Sequence, residues 1–325
     1  MQNNTLAAIG EALIDFIPAE KGCGFDEVTS FSPMVGGAPA NVCGAYARLG
    51  GKARLLTQLG DDPFGHKIIH ELESCNIDTS CVALTDRANT ALAFVSLEPN
   101  GNRTFSFYRK PSADMLYSPE NIRDEYFDDV YALHFCSVSL GDFPMKEAHR
   151  AAIEAARKKK ALISFDPNLR FMLWDSKEAL RKTVKEFIPL ADIIKISDEE
   201  LEFITGRKEI SDALPGLFEG NVRMIVYTCG KNGAYAFTKN TSAFSEGKKV
   251  EAVDTTGAGD GFIGSFLWKM NSLGVDAENI SSTEKDTLEK CLGFSNEFCA
   301  ESVCRKGAIA SYPDICRIGM TEKSK

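Results

Sequence analysis

No stretch of this sequence approaches the roughly 20 consecutive apolar residues that a bilayer-spanning helix needs, and no membrane association is expected. Basic residues are also in deficit. Lysine and arginine together number 37 against 46 acids, a formal net charge of −9 at neutral pH. Surfaces that bind nucleic acid are usually basic, so that class is not expected either. The ten cysteines include no Cys-x-x-Cys pair, and Cys43, Cys136, Cys291 and Cys299 sit inside apolar runs. They read as reduced thiols rather than a disulfide framework or a zinc site. Histidine is scarce, and the close pair His66 and His70 has no acidic third ligand nearby. Residues 1–5 lack the basic start and apolar stretch of a signal peptide, so the expectation is a cytoplasmic protein. Internal repeats, low-complexity tracts and flexible linkers are missing too. What remains, 44% hydrophobic and 26% charged residues, is ordinary globular composition with ample material for a core.

The stretch that organises the chain is Asp254-Thr255-Thr256-Gly257-Ala258-Gly259-Asp260-Gly261-Phe262. Gly257 and Gly259 allow a tight turn and close approach to a ligand. The apolar pattern after it, Phe262, Ile263, Phe266, Leu267 and Met270, predicts a helix. Its unpaired N–H groups and positive dipole end make a seat for a phosphate. Asp260 adds a carboxylate at the same spot, where it would repel an anion unless it takes a proton from a hydroxyl attacking phosphorus. The plainer alternative is an aspartate capping an ordinary helix.

Earlier in the chain, a buried strand over Thr5–Ile9 is followed by Asp15, the first polar side chain placed to reach a cleft beyond the strand's end. Gly36-Gly37 precedes Asn41, which is expected to open a helix, as cap or as ligand. Asn100-Gly101 between two alternating runs predicts a hairpin carrying exposed Phe105, Phe107 and Tyr108 and leading to Arg109. A hairpin inside a strand–helix alternation suggests a small β lid. From Tyr131 onward strands and helices alternate. Asp166-Pro167-Asn168-Leu169-Arg170 leaves one strand, either as a turn or with Asn168 and Arg170 reaching a ligand. Ser197 and Glu200 read as a capping box, and Thr228 leads to a turn through Gly230 and Gly233.

Both glycine stretches resemble, residue for residue, the two signatures of the ribokinase-like sugar kinases, the PfkB carbohydrate kinases. The resemblance spans residues 5–313; residues 105–118 are similar to the fructokinases, and residues 166–170 to the fructokinase and ketodeoxygluconate kinase branch. It implies a three-layer α/β/α sandwich with a mostly parallel central sheet and a small β-sheet lid. As a domain assignment it implies a single kinase domain over 1–325, with the lid drawn from about 12–34 and 89–110. The reaction implied is ATP-dependent phosphorylation of a sugar hydroxyl, fructose first, with 2-keto-3-deoxygluconate or another furanose or nucleoside as alternatives. A non-catalytic sugar-sensing relative is the alternative outside catalysis. Asp260 would be the base, and the backbone of Gly257, Ala258, Gly259 and Asp260 the anion hole. Asp15, Gly36, Gly37, Asn41, Arg109, Asn168 and Arg170 would serve the sugar. Lys195, Thr228, Gly230, Gly233, Gly257, Gly259 and Asn296 would hold ATP. Glu200 would organise Mg²⁺ through water, although Ser197 stands where the family has asparagine. Asp254, Thr256, Arg305, Gly307 and Ser311 match a loop that holds K⁺. Many members pair through their lids, so a homodimer is expected.

Overall fold

The computed structural model describes residues 3–20, 22, 25–97 and 103–318. Its strands are Thr5–Ile9 (β1), Leu13–Pro18 (β2), Phe31–Gly36 (β3), Lys52–Gly60 (β4), Ile77–Asp78 (β5), Val82–Thr85 (β6), Leu92–Leu97 (β7), Arg103–Tyr108 (β8), Val130–Cys136 (β9), Leu162–Asp166 (β10), Ile193–Ser197 (β11), Met224–Thr228 (β12), Ala234–Phe237 (β13) and Ser242–Ser245 (β14). The main sheet has the order β14-β13-β12-β11-β10-β9-β1-β4-β5, with β6 also paired to β4. All its pairings are parallel except β12–β13 and β13–β14. Its central strands, β1 and β9 among them, are buried along their whole length. Near-continuous apolar runs of this kind mark strands covered on both faces.

The covering helices are Ala38–Arg48 (α1), Pro63–Ser74 (α2), Pro144–Lys158 (α3), Lys177–Phe187 (α4), Asp198–Thr205 (α5), Ile210–Leu217 (α6), Ala258–Ser272 (α7) and Lys285–Val303 (α8). One core lies under α3 to α6, with Phe135 stacked on Phe165 and edge-on to Phe187. The opposite face carries α1, α7 and α8, with Phe262, Ile263, Phe266 and Leu267 buried. The result is a three-layer α/β/α sandwich. Helices α1 and α7 approach unusually closely at Gly264. A Cβ there would lie 2.8 Å from both the Ala45 Cβ and the Val42 carbonyl oxygen.

A separate four-stranded sheet, β3-β2-β7-β8, stands off the main one. Three expectations are corrected here. Asp15 lies inside β2 of the small sheet rather than in a turn after β1, opposite Met34 of β3 and Ala93 of β7. Helix α1 begins at Ala38 with Gly37 as its capping residue, so Asn41 sits within its first turn rather than opening it. Phe107 is half-buried against Leu13, Ala91 and Ala93, whereas Tyr108 is exposed. The expected turn at Asn100-Gly101 and the side chain of Phe105 lie outside the described residues.

Candidate active site

The site forms where the carboxyl ends of β1, β9, β10, β11 and β12 meet the start of α7, the edge at which open α/β sheets bind ligands. Gly257 is left-handed (φ 72°) and caps α7, and its carbonyl accepts from Gly261 N at 2.7 Å and from the Tyr312 hydroxyl at 2.8 Å. This turn lifts Asp260 into the site. The close α1–α7 packing at Gly264, one turn further on, brings Asn41 beside it. Asn41 Nδ2 donates to Asp260 Oδ2 at 2.9 Å, and Asn168 Nδ2 donates to Oδ1 at 3.2 Å. Asn168 does so from a left-handed backbone (φ 44°), a conformation that costs about 1 kcal/mol for most side chains and least for asparagine. The Asn41 Oδ1 is buried with no protein partner, a polar atom aimed at whatever enters the site.

Burial pushes the Asp260 carboxyl up to about 6, with the Asn41 hydrogen bond pulling it down, the Asp166 carboxylate adding to the rise, and Arg170 and Lys195 opposing it. A carboxylate tuned toward neutrality is suited to accept a proton in turnover. Beneath it, Lys195 Nζ donates to Asp166 Oδ2 at 2.7 Å, and both side chains are buried. Burial works against the Lys195 charge, but the Asp166, Glu200 and Asp260 carboxylates outweigh it and raise its pKa. The ammonium lies 3.1 Å from where a Cβ on Gly259 would stand, so it sits directly under the start of α7.

The expected anion hole needs one correction. Ala258 N donates to the Thr255 carbonyl at 3.1 Å, closing the turn before α7. The other three expected amides, of Gly257, Gly259 and Asp260, belong to the cap and first turn of α7, where N–H groups have no intrahelical acceptor. Lys195 lies beneath them at Gly259, so amides, dipole and ammonium act on the same place.

A cleft of about 800 Å³ opens on one side of that point, lined by Lys195, Thr228, Gly230, Gly233, Gly259 and Asn296 among others. These are the residues expected around ATP, Gly257 excepted. Asn296 forms its wall by donating through Nδ2 to the carbonyls of Ser245 and Glu246 at 3.0 and 3.2 Å. Of the residues expected around the sugar, Asn41 and Asn168 hold Asp260, while Asp15 and Gly36 lie together in the β2–β3 pair. The Asp15 carboxylate lies over Gly36, in the space a side chain there would occupy. Arg170 is exposed at the mouth, its Nη1 donating to the Leu169 carbonyl.

Arg109 is placed differently from expectation. It is buried, paired with Asp114, and donates to the Val138 carbonyl and Ser139 hydroxyl at 3.0 Å each. It supports the site from beneath rather than facing its opening. Glu200 accepts from Ser197 N and Oγ through one oxygen, the predicted capping box, and from Leu169 N at 2.9 Å through the other. Among the described residues no group of three or more His, Cys, Asp or Glu is arranged to hold a metal. Asp254 accepts from Thr256 N and Oγ1 and from Gly307 N at 2.7 to 3.0 Å, joining the stretches expected to hold K⁺. Ser311 is buried beside them, bonded to the Ser302 hydroxyl and the Ala308 carbonyl, while Arg305 turns back to the Glu301 carbonyl.

Glu11 and the role of Asp166 were not anticipated. Burial pushes the Glu11 carboxyl up, with Arg109 and Ser139 pulling it back. The signal for Asp166 was present: a lone lysine in Ile-Ile-Lys-Ile beside a strand ending in aspartate.

The pfkB family carbohydrate kinase pattern matches residues 3–315. The chain is 42% identical to probable fructokinase-2 of Arabidopsis thaliana over 312 residues, 96% of this chain and 93% of that one. Its fold superposes with a TM-score of 0.91 on an ATP-bound fructokinase from Xylella fastidiosa, 30% identical, covering 99% of this chain and all (100%) of that one. A double-mutant fructokinase from Vibrio cholerae O395 with fructose, ADP and potassium bound gives a TM-score of 0.85 at 31% identity, covering 98% of this chain and 97% of the other.

Proposed function

The chain belongs to the pfkB family of carbohydrate kinases, and from that premise we propose how its residues act as an ATP-dependent fructokinase. The γ-phosphoryl group of ATP passes to the 6-hydroxyl of D-fructose. The observation that carries this is Asp260, gripped by Asn41 and Asn168 and standing between a nucleotide-sized cleft and the small sheet. Asp260 takes the proton from the hydroxyl as it attacks. The Gly259 and Asp260 amides, with Lys195, receive the charge that develops on the transferred group; preorganised donors of this kind are typically worth about 3–4 kcal/mol each. Asn41 Oδ1 and the Asp15 carboxylate orient the sugar, and Arg170 is the clamp at the mouth. Mg²⁺ neutralises phosphate charge when bound, and Glu200 is the residue set to hold one of its waters.

The chain acts as one kinase domain, with the four-stranded sheet closing over the sugar as a lid and excluding water. A homodimer joined through that sheet fits the exposed Tyr108 on β8 and the exposed Phe25 in the β2–β3 connection, and light scattering tests it: a monomer at micromolar concentration rejects it. Nine described cysteines carry free thiols, which supports a cytoplasmic setting. No helix among the described residues is long and apolar enough to cross a membrane.

A coupled ADP-release assay with MgATP tests the substrate across fructose, 2-keto-3-deoxygluconate, ribose, adenosine and fructose 6-phosphate, each with and without potassium. Preference for fructose is expected. A keto-acid would need an arginine for its carboxylate, and with Arg109 held by Asp114 only Arg170 of the two candidates is available. Stimulation by potassium would support an ion at the Asp254 and Gly307 loop; the same rate in sodium would reject it.

A further inference from the structure

The chain passes between its two sheets at residues 10–12, at Gly37, at 86–91 and at Arg109. All but the 86–91 crossing run through one buried charge cluster. Arg109, the first residue after β8, is paired with Asp114 and donates through Nη2 to the Ser139 hydroxyl at 3.0 Å. Ser139 Oγ donates in turn to Glu11 Oε2 at 2.7 Å. Glu11, between β1 and β2, accepts through Oε1 from Ala38 N at 3.2 Å, the first amide of α1. The Glu11 carbonyl also lies against Gly37: a Cβ there would stand 2.5 Å from it.

Within that first helical turn, Asn41 N donates to the Gly37 carbonyl at 2.9 Å and Asn41 Nδ2 reaches Asp260. A continuous chain of hydrogen bonds therefore runs from the exit of the small sheet to the proposed base. A buried carboxylate at a helix start is favoured by the dipole and fixes the orientation of the turn it caps. Glu11, Arg109, Asp114 and Ser139 are all buried, so no water is available to replace a lost partner.

We infer that Glu11 is a positioning residue for phosphoryl transfer: with Arg109 and Asp114 it pins the crossings between the sheets and thereby holds Asn41 against Asp260. The inference rests on the kinase reading above. The nucleotide cleft lies on the far side of Gly259 and is outside this chain of contacts.

The test is steady-state kinetics on the full chain carrying Glu11→Gln or Arg109→Lys, with fructose and MgATP varied separately. Misplacement of a positioning group is costly, and kcat/KM for fructose is expected to fall about tenfold or more, through a lower kcat and a higher fructose KM, while the ATP KM stays within about twofold. A merely structural role would lower Tm and the active fraction but leave the fructose KM of the folded enzyme in place; that result overturns the inference. Should Glu11→Gln not fold, Ser139→Ala removes one hydroxyl and leaves the charges, and the same KM split, smaller in size, is expected; an unshifted fructose KM there is equally fatal. If the unaltered protein phosphorylates another sugar of the panel and not fructose, the fructose assignment falls instead, and the same comparison with that sugar decides the inference; if none is phosphorylated, the kinase reading falls and the inference falls with it.

Discussion

Asn41 and Asp260 are separated by 219 positions in the chain, yet the amide of one donates to the carboxylate of the other at 2.9 Å. The contact joins the two helices that flank the reaction centre, and it depends on how closely they approach.

That approach is set by Gly264. Gly264→Ala would bring a methyl group to 2.8 Å from both Ala45 Cβ and the Val42 carbonyl, so the helices must part. Overpacking of this kind costs about 1–3 kcal/mol. The expected result is a lower Tm together with a fall in kcat, because the Asn41 grip loosens. Thermal denaturation and kinetics on one preparation check both; a stable, fully active variant would show that the helices are free to shift.

Asp260→Asn keeps the shape and removes the proton acceptor. General-base contributions are typically about 10²–10⁴-fold, and kcat should fall by that order with KM for both substrates little changed. Retained turnover would mean that another group, or water, takes the proton.

The pH dependence follows from burial. With the Asp260 carboxyl raised to about 6, kcat/KM for fructose should fall about tenfold per unit as pH drops below that value and level off above it. Stability moves the other way. A carboxyl raised above its usual 3.8 contributes stability that is complete below that value and lost as pH rises through about 6. Asp260→Asn should therefore be more stable than the parent at pH 8, by on the order of 2–3 kcal/mol, and lose that advantage near pH 4. Equal Tm differences at the two pH values would contradict the assignment.

Lys195→Met leaves Asp166 buried without its cation, since their contact is 2.7 Å and both are almost fully enclosed. Breaking such a pair typically costs about 3–5 kcal/mol. Adding Asp166→Asn should recover part of the stability but not the ATP affinity, because the ammonium under Gly259 is still missing. Urea melts and ATP titrations distinguish the two effects.

The glycine turn at 257–259 was legible because its function is local: two glycines, a carboxylate and a helix are contiguous in sequence. The β10 and β11 strands were equally plain as short apolar runs. The place of Asp15 in the small sheet follows from drawing the lid from about 12–34, but the switch of sheet within residues 10–12 leaves no composition signal of its own. The use of the Ala258 N–H in a turn is a matter of backbone torsion that side-chain identity does not report. Arg109 was expected to reach the sugar, although Asp114 five residues later offered it a partner; whether such charges meet depends on the fold and not on their spacing. Asn41 could be seen as a cap or a ligand, but its reach to Asp260 depends on Gly264, a residue with no chemistry of its own.

Glu200 has a consequence beyond bracing α5. One of its oxygens holds Ser197, which lines the nucleotide cleft, and the other holds Leu169, next to Asn168 on the sugar side. A single carboxylate thus ties the wall of the cleft to the turn that carries Asn168. By thermodynamic reciprocity, whatever factor ATP applies to fructose affinity, fructose must apply to ATP.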